Sequence, residues 1–311
     1  MRVALTGSTG FVGGAVLQRL LRRGHEVAAL VRDPERAGRL TDHGGVRVVV
    51  GHLGDENAVA KLVDGADAVV HLVGIIVEVG AQTFERVHVM GPARLVAAAR
   101  DAHVGRFVHM SALGARADET ATAYHRTKAA GEDAVREGGI PHAILRPSLV
   151  AGPGNGPLGM MIDVVRFAPI VPVIGDGRYR LQPVWVEDVA EAFAVAVESP
   201  EIQGTFDLAG PDAITWHELL DLIERFLGVR RRRVTVPVGV ARFGALAGIA
   251  LPELAPITPD QLQMLLEGSI TDSHELETVF GVRPRRFADV MREMCAPYAA
   301  APTSGQSGGA R

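Results

Sequence analysis

Tyr124 and Lys128 are the residues of this sequence whose types and spacing most directly suggest chemistry. They lie four positions apart in a stretch with a helical pattern, so they share one face of the predicted helix. A phenol with an ordinary pKa of about 10 is a poor acid or base at neutral pH. Because an ammonium stabilises a phenolate, we expect Lys128 to lower the pKa of Tyr124 toward the range useful for proton transfer with a substrate oxygen. Ser111, at the end of a predicted strand, is expected to hydrogen-bond the same oxygen.

A second group of residues, at the start of the chain, has the character of a phosphate site. An apolar run that ends at Thr6 is followed by Gly7, Gly10 and Gly13 and then by a helical pattern of apolar residues. This order predicts a strand, a tight turn and a helix. Glycines let the backbone approach a ligand closely, and the free N–H groups at a helix start attract anions. We therefore predict that a nucleotide pyrophosphate binds here.

Strands and helices alternate after this turn. Continuous apolar runs bounded by amphipathic segments indicate a parallel sheet that is covered on both faces. The sequence therefore predicts an α/β protein with a doubly wound parallel sheet, whose ligands bind at the carboxyl ends of the strands. The predicted strands are 3–6, 25–31, 46–51, 66–74, 105–111 and 141–148, and the predicted helices include 55–63, 83–102 and 120–137.

The composition of the chain changes after the sixth predicted strand. Residues 1–200 are predicted to form the dinucleotide-binding core, with a loop excursion over 152–182, where glycine and proline recur. Residues 201–300 are predicted to form a small C-terminal lobe for a substrate or a partner. The last segment, 301–311, has linker composition and is predicted to be disordered.

The overall composition is that of an ordinary globular protein. The chain is 47% apolar and 22% charged, with a net charge of -4, which gives no general signature of nucleic-acid binding. Its single cysteine, Cys295, cannot form an intrachain disulfide and suits a reducing cytoplasm. The histidine and carboxylate spacings suggest no metal site. We expect a cytoplasmic protein without a signal peptide, because the first strand follows Met1 directly.

One apolar run, Val234–Leu251, bears on membrane contact. Pro237, Arg242 and several glycines interrupt this run, so it is not expected to span a bilayer. The sequence favours a packed helix of the second lobe. Peripheral contact with the inner membrane or with a partner is the alternative.

Several motifs together resemble the short-chain dehydrogenase/reductase superfamily, in its extended and atypical branches. They are TGSTGFVG at 6–13, HLVG at 71–74, the set Ser111, Tyr124 and Lys128, RPSLVAGPG at 146–154 and VEDVAEA at 186–192. Within the superfamily, four segments most resemble the group related to the nucleotide-binding accessory subunit of respiratory complex I. These segments are HLVGII, HMSALGA, YHRTKAAGE and RLQPVWVEDVA. The resemblance implies a Rossmann core, a bound dinucleotide and, where the set is active, hydride transfer.

The resemblance also implies roles for individual residues. Tyr124 would be the general acid or base, and Lys128 would bind the nicotinamide ribose and lower the tyrosine pKa. Ser111 would orient the substrate oxygen, and Pro147 and Ser148 would lie near the nicotinamide. The residues expected to contact the cofactor are Gly7, Ser8, Thr9, Gly10, Phe11, Val12, Gly13, Arg32, Leu53, Leu72, Val73, Gly74, Lys128, Pro147 and Ser148.

Departures from the family pattern refine these expectations. Val31 and Arg32 stand where NAD-binding proteins place an acidic residue for the ribose hydroxyl, and Arg32 can pair with a 2′-phosphate. NADP(H) is therefore favoured over NAD(H). His52 replaces the usual Asp against the adenine, which leaves Leu53 as the contact. His88 replaces an Asn that supports the catalytic lysine; either its imidazole takes over this role through a water, or the proton relay is impaired.

Three functions are weighed on these residues. The first is an NADP(H)-dependent oxidoreductase acting on a carbonyl or alcohol of a small substrate. The second is a non-catalytic NADP(H)-binding structural or assembly protein that contacts a respiratory complex. A nucleotide-sugar epimerase is third, because Arg180 lies one position early for a diphosphate contact; dehydration is rejected, because Ala112 and Leu113 replace the acidic pair it needs. The helices 83–102 and 120–137 are candidates for a homodimer interface.

Overall fold

The computed structural model describes residues 1–33, 35, 44–154, 156–250 and 257–299. Its strands are β1 (Arg2–Thr6), β2 (Glu26–Val31), β3 (Val46–Val50), β4 (Ala68–His71), β5 (Arg106–Met110), β6 (His142–Pro147), β7 (Val150–Ala151), β8 (Ile170–Ile174), β9 (Arg180–Leu181), β10 (Val184–Trp185), β11 (Gly204–Leu208), β12 (Ile214–Thr215) and β13 (Arg232–Val236). Its α-helices are α1 (Phe11–Arg22), α2 (Glu56–Val63), α3 (Gly91–Asp101), α4 (Ala123–Glu137), α5 (Pro157–Phe167), α6 (Val186–Glu198), α7 (Trp216–Leu227), α8 (Val238–Ala250), α9 (Pro259–Glu267), α10 (Glu275–Thr278) and α11 (Phe287–Ala299).

The main sheet has seven strands in the order β11-β6-β5-β4-β1-β2-β3. Every neighbouring pair in it is parallel. The predicted doubly wound α/β fold is therefore confirmed. The strand order changes direction between β1 and β4, and the crevice above such a change is where folds of this kind bind their ligands.

Helices cover both faces of the sheet, as the continuous apolar strands predicted. Alternate residues of β1 show the division: Val3 and Leu5 pack with α1 and α6, whereas Ala4 packs with α2, α3 and α4. Each fully buried Val or Leu side chain contributes about 1.5–3 kcal/mol through the hydrophobic effect. These two layers fix the carboxyl ends of the strands, on which the predicted site residues lie.

The seventh strand corrects the predicted sheet, whose sixth and last strand was 141–148, and the predicted core, which ended at residue 200. β11 pairs with β6 along its whole length, with Gly204 opposite Ala143 and Leu208 opposite Pro147. Downstream of it, Leu276 and Phe280 belong to the same hydrophobic cluster as β1 and α1. The core therefore includes segments after residue 200. The sequence did not indicate β11 because an edge strand needs only partial burial and this one lacks a long apolar run.

A second cluster is built from the excursion after β6 and from the C-terminal segments. The excursion contains α5, β8 and β9, and β8 pairs in parallel with β13. Ile162 of α5, Val171 of β8, Leu220 of α7 and Met291 of α11 meet in this cluster. It joins residues of the predicted small lobe, 201–300, to the excursion, which was predicted to belong to the core. The predicted disordered tail, 301–311, lies outside the described residues.

The long helix predicted over 83–102 is divided in two. Glu85–Met90 forms a π-helical turn, and α3 follows it directly from Gly91. The wider π-helical turn carries the buried His88. Such turns frequently occur at functional sites. The homodimer proposed on this helix and on α4 stays a prediction.

Gly13 allows a test of how tightly the first turn is built. A Cβ added to Gly13 would lie 1.9 Å from the Gly7 carbonyl oxygen, whereas one added to the adjacent Gly14 would lie 3.9 Å from its nearest neighbour. We expect Gly13→Ala to lower the free energy of unfolding by about 1–3 kcal/mol or more, because neither backbone can yield. Gly14→Ala should raise it by up to about 1 kcal/mol through helix propensity. Urea unfolding of both variants measures the difference, and equal effects would contradict the close packing.

Candidate active site

The glycine turn lies at the change in strand order, between β1 and β4. Gly7 has a φ of +84°, and a Cβ there would lie 3.1 Å from the backbone carbon of Leu72, at the end of β4. α1 begins after Gly10 with no side-chain cap and no acidic residue in its first turn. Ser8 is buried, and its hydroxyl has no hydrogen-bond partner in the structure. Uncapped N–H groups and an unpartnered hydroxyl fit the pyrophosphate of a dinucleotide.

The other residues of the turn divide into ligand-facing and structural ones. Thr9 is exposed, whereas Val12 is 9% exposed and packs in the core with α6. The ring of Phe11 lies against the backbone of the loop after β7, since a Cβ added to Gly152 or Gly156 would lie 3.0 Å from it. Phe11 therefore holds this loop over the start of α1, and its contribution to a ligand would come from its backbone N–H.

The residues predicted for the adenosine end lie after β2 and β3. Arg32 is exposed just beyond β2, where a 2′-phosphate could reach it. Asp33, the next residue, accepts a hydrogen bond from the Glu35 N–H at 2.9 Å. Leu53 is half-buried and packs against Gly91, at the start of α3.

The segment that follows β4 connects the turn to the catalytic set. Leu72 is buried and Val73 is half-buried, whereas Gly74 is exposed. A Cβ on Gly74 would lie 3.6 Å from Nε2 of His88 and 3.7 Å from Nζ of Lys128. The predicted contacts Leu72, Val73 and Gly74 therefore run from the glycine turn to Lys128.

Tyr124 lies one turn before Lys128 on α4, as predicted. Its ring makes edge contacts with the rings of Phe84 and His88, at centroid distances of 6.0 Å and 5.4 Å. The Tyr124 N–H donates to Asp260 of α9 at 3.2 Å, which attaches the second lobe to the start of α4. No local sequence pattern indicates this contact.

The prediction that Lys128 lowers the pKa of Tyr124 is wrong for this structure. Burial raises the pKa of Tyr124 to about 12. The Lys128 ammonium donates to the Met110 carbonyl oxygen at 2.7 Å, at the end of β5. Burial lowers the pKa of Lys128 to about 8, partly opposed by the charge of Glu132. At neutral pH the phenol is therefore protonated and the lysine is mostly charged.

Ser111 follows Met110, whose carbonyl oxygen accepts the hydrogen bond from the Lys128 ammonium. It is buried, and its hydroxyl faces Glu132 at a geometry that falls short of a full hydrogen bond. Burial raises the pKa of Glu132, but Arg146, Ser111 and Arg136 outweigh burial and hold it below its ordinary value. Contact between Ser111 and a substrate oxygen stays a prediction. Glu132, one turn after Lys128, is a site residue that helical spacing alone would have indicated.

His88 has a fixed tautomer. The Ile75 N–H donates to its Nε2 at 3.1 Å, so the ring hydrogen is on Nδ1, which lies 3.1 Å from Thr127 Oγ1. Burial and the charge of Lys128 lower the pKa of His88 to about 3, so the ring is neutral. The acceptor nitrogen of His88 is occupied by the Ile75 N–H, so the ring has no second acceptor for a water linked to Lys128. Of the two roles predicted for His88, the structure favours an impaired relay.

Two further histidines lie at the ends of β4 and β5. His71 and His109 stack with their ring centroids 5.3 Å apart, and Nδ1 of His71 lies 2.7 Å from Thr6 Oγ1. Burial, reinforced by Lys128, lowers the pKa of His71 to about 3 and that of His109 well below its ordinary value. Lys128 is thus surrounded by rings that stay neutral.

The nicotinamide end was predicted at Pro147 and Ser148. Both lie at the carboxyl end of β6, but the Ser148 hydroxyl donates to the Gln182 carbonyl oxygen. Gln182 in turn binds the Gly210 carbonyl oxygen at 2.9 Å. Ser148 therefore joins β6 to the segment before β10. The backbone there is engaged as well, since the Ser148 N–H donates to the Leu208 carbonyl oxygen at 2.9 Å and the Pro147 carbonyl oxygen accepts from the Leu113 N–H at 3.0 Å. Arg180, weighed for a sugar diphosphate, is exposed and donates to the Ala213 carbonyl oxygen at 3.2 Å.

Comparison with known proteins identifies the family. The model of the NAD dependent epimerase/dehydratase family matches residues 3–209, so the chain belongs to that family. This confirms the predicted resemblance to the extended short-chain dehydrogenases. A solved structure, that of gox2253, is 26% identical, with a TM-score of 0.74 over 95% of this chain and 97% of that one.

Curated relatives carry both reductase and respiratory names. The ceramide reductase of Caulobacter vibrioides is 32% identical over 78% of this chain and 76% of its own length. The rat NADH dehydrogenase (ubiquinone) 1 alpha subcomplex subunit 9 is 30% identical, over 89% and 75%. The 4-hydroxy-2-methyl-3-oxo-4-farnesyl-3,4-dihydroquinoline-1-oxide ketoreductase of Stigmatella aurantiaca is 27% identical, over 81% and 80%.

The buried ammonium leads to a prediction about pH and stability. Lys128 has a folded pKa of about 8 against an ordinary value of 10.5. Between these two values the unfolded chain binds more protons, so the wild type should gain stability as pH rises. Relative to Lys128→Met, this gain should be on the order of 3 kcal/mol between pH 7 and pH 10.5. Lys61→Met, at the other lysine of the sequence, is the exposed control; it keeps Lys128 and should gain stability with pH as the wild type does. If the free energies of unfolding of the two variants changed with pH in parallel, the burial of the Lys128 charge would be contradicted.

Proposed function

We propose that this protein is an NADP(H)-dependent oxidoreductase that reduces the carbonyl group of an apolar substrate. The observation that carries the proposal is that a protonated phenol, Tyr124, and the Lys128 ammonium lie one turn apart on the same face of α4, with Lys128 beside Gly74 at the ligand crevice. A bound nicotinamide would supply or accept the hydride. The family and the two reductase-named relatives support this class of reaction.

Each residue of the set would have one task in this reaction. Tyr124 would donate its proton to the carbonyl oxygen as negative charge develops there. Its pKa of about 12 keeps the phenol in the donating form at neutral pH, which favours reduction over oxidation. Lys128 would hold positive charge beside the forming phenolate, where water is excluded and the charge acts strongly. Ser111 would orient the carbonyl group.

The substrate class rests on the relatives and on the site. Two relatives act, by their names, on a ceramide and on a farnesyl-bearing ketone, and both compounds carry long apolar chains. The Tyr124 ring contacts Phe84 and the neutral His88, so these neighbours of the phenol are uncharged. We therefore propose a ketone with an apolar chain.

A second candidate function is nucleotide binding without turnover. The occupied acceptor nitrogen of His88 favours it, because the site then lacks the relay that would return a proton to Tyr124. The respiratory relative supports the same idea and would make a respiratory complex the partner. The epimerase alternative is the weakest, because Arg180 is engaged with a backbone carbonyl.

Tyr124→Phe distinguishes catalysis from binding. With a panel of long-chain ketones, we expect the variant to lose about 10²–10⁴-fold in NADPH oxidation, the usual contribution of a general acid. Tyr298→Phe, which removes the hydroxyl of a tyrosine whose ring packs on Arg166, is the matched control and should keep the wild-type rate. Equal rates in wild type and Tyr124→Phe would refute the catalytic role. Tight NADPH binding with no oxidation in any of the three proteins would favour the non-catalytic function.

Arg32→Ala tests the preference for NADPH. If the guanidinium pairs with the 2′-phosphate, the variant should bind NADPH about tenfold or more weakly than the wild type does. Its affinity for NADH should stay unchanged. Fluorescence titration of both nucleotides measures this, with Arg22→Ala, another exposed arginine, as the control. An equal loss for both nucleotides, or no loss, would contradict the proposed pairing.

A further inference from the structure

An apolar surface lies outside the candidate active site, on α8. Val240, Phe243 and Leu246 recur every three residues and are 60%, 77% and 57% exposed. The opposite side of the helix is attached to the protein. Ala245 is 2% exposed, and a Cβ on Gly175 would lie 3.1 Å from Val238. α8 is therefore a surface helix that turns large apolar side chains toward solvent.

The strand before α8 extends this apolar character. In the β8–β13 pair, Ile170 lies opposite Arg232, and Pro172 lies opposite Val234. All four are exposed, whereas Val171, between them on β8, is buried in the second cluster. One face of this small sheet thus presents apolar residues and an arginine. We call this face, together with the exposed side of α8, the arginine–apolar surface.

The charge of this surface is of one sign. The sequence from 228 to 250 contains five arginines and neither Asp nor Glu. Two of the arginines are engaged: Arg231 donates to the Val165 carbonyl oxygen at 2.6 Å, and Arg233 pairs with Glu224 at 3.2 Å. The other three, Arg230, Arg232 and Arg242, are exposed. The surface therefore combines large apolar groups with accessible positive charge.

Length decides how this helix can meet a bilayer. With 13 residues, α8 is about 20 Å long, which is shorter than the roughly 30 Å of a bilayer core. In the part of the chain that the structure describes, no helix has the length and apolar character needed to cross a membrane. A short helix of this composition is suited to lie in the plane of the lipid headgroups, with Phe and Leu inserted and Arg against the phosphates.

We propose that the arginine–apolar surface binds the surface of a membrane that contains anionic phospholipids. A second copy of the chain is a poorer occupant, because a two-fold contact would oppose the exposed arginines with arginines. Anionic lipid offers an apolar layer to the exposed apolar side chains and negative charge to the three exposed arginines. The inference does not depend on the proposed reaction, because binding can be measured without turnover.

Vesicle sedimentation tests the proposal. We expect the full chain to bind vesicles of phosphatidylcholine mixed with phosphatidylglycerol, to bind pure phosphatidylcholine weakly, and to be released at high salt. Phe243→Glu should reduce binding about tenfold or more, because it removes an inserted ring and adds repulsion. Arg232→Gln combined with Arg242→Gln should remove the preference for anionic vesicles.

The control is Ile270→Glu, which places the same charge at an isoleucine that is 48% exposed, outside α8 and the β8–β13 face. It should bind vesicles like the wild type. Absence of binding to either vesicle type, or equal binding by Phe243→Glu and the wild type, would overturn the proposal. Self-association that Phe243→Glu abolishes, without vesicle binding, would also overturn it and would identify a second copy as the occupant.

Discussion

The burial of one ammonium group, that of Lys128, is the interaction on which the rest of the site depends. Lys128 is only 4% exposed and has a backbone carbonyl, that of Met110, as its hydrogen-bond acceptor. Burying a charge costs several kcal/mol unless neighbours compensate for the lost water. Glu132, one turn further along α4, opposes part of that cost. The fold must therefore bring β5 and α4 close together to keep this charge in place.

Burial and this charge together explain the character of its neighbours. His71, His88 and His109 stay neutral because burial lowers the pKa of each ring and the charge of Lys128 lowers it further. Burial also raises the pKa of Tyr124, so the phenol is protonated. The ammonium of Lys128, these neutral rings and the Tyr124 proton therefore belong to the same site. A developing negative charge on a substrate oxygen would meet both the proton and the cation.

Much of this arrangement could be predicted from the sequence, because it rests on short-range rules. The spacing of Gly7, Gly10 and Gly13 after an apolar run indicated the turn, and four-residue spacing placed Tyr124 and Lys128 on one face. Burial could not be predicted in the same way, and it reversed the expected direction of the pKa shift of the phenol. The edge strand β11 was missed because its residues are mostly half-buried and include Asp207. The orientation of His88 depends on the Ile75 N–H, a contact that no local pattern encodes.

The proposed function requires that a nucleotide bound at the glycine turn serves as a hydride donor, with Tyr124 as the acid. The most direct measurement is isotope transfer from NADPH deuterated at the hydride-bearing carbon of its nicotinamide. Incubated with the protein and a long-chain ketone, it should give an alcohol that carries deuterium on the carbinol carbon, as read by mass spectrometry. Retention of all deuterium on a nucleotide that is demonstrably bound would contradict the claim and assign the nucleotide a structural role.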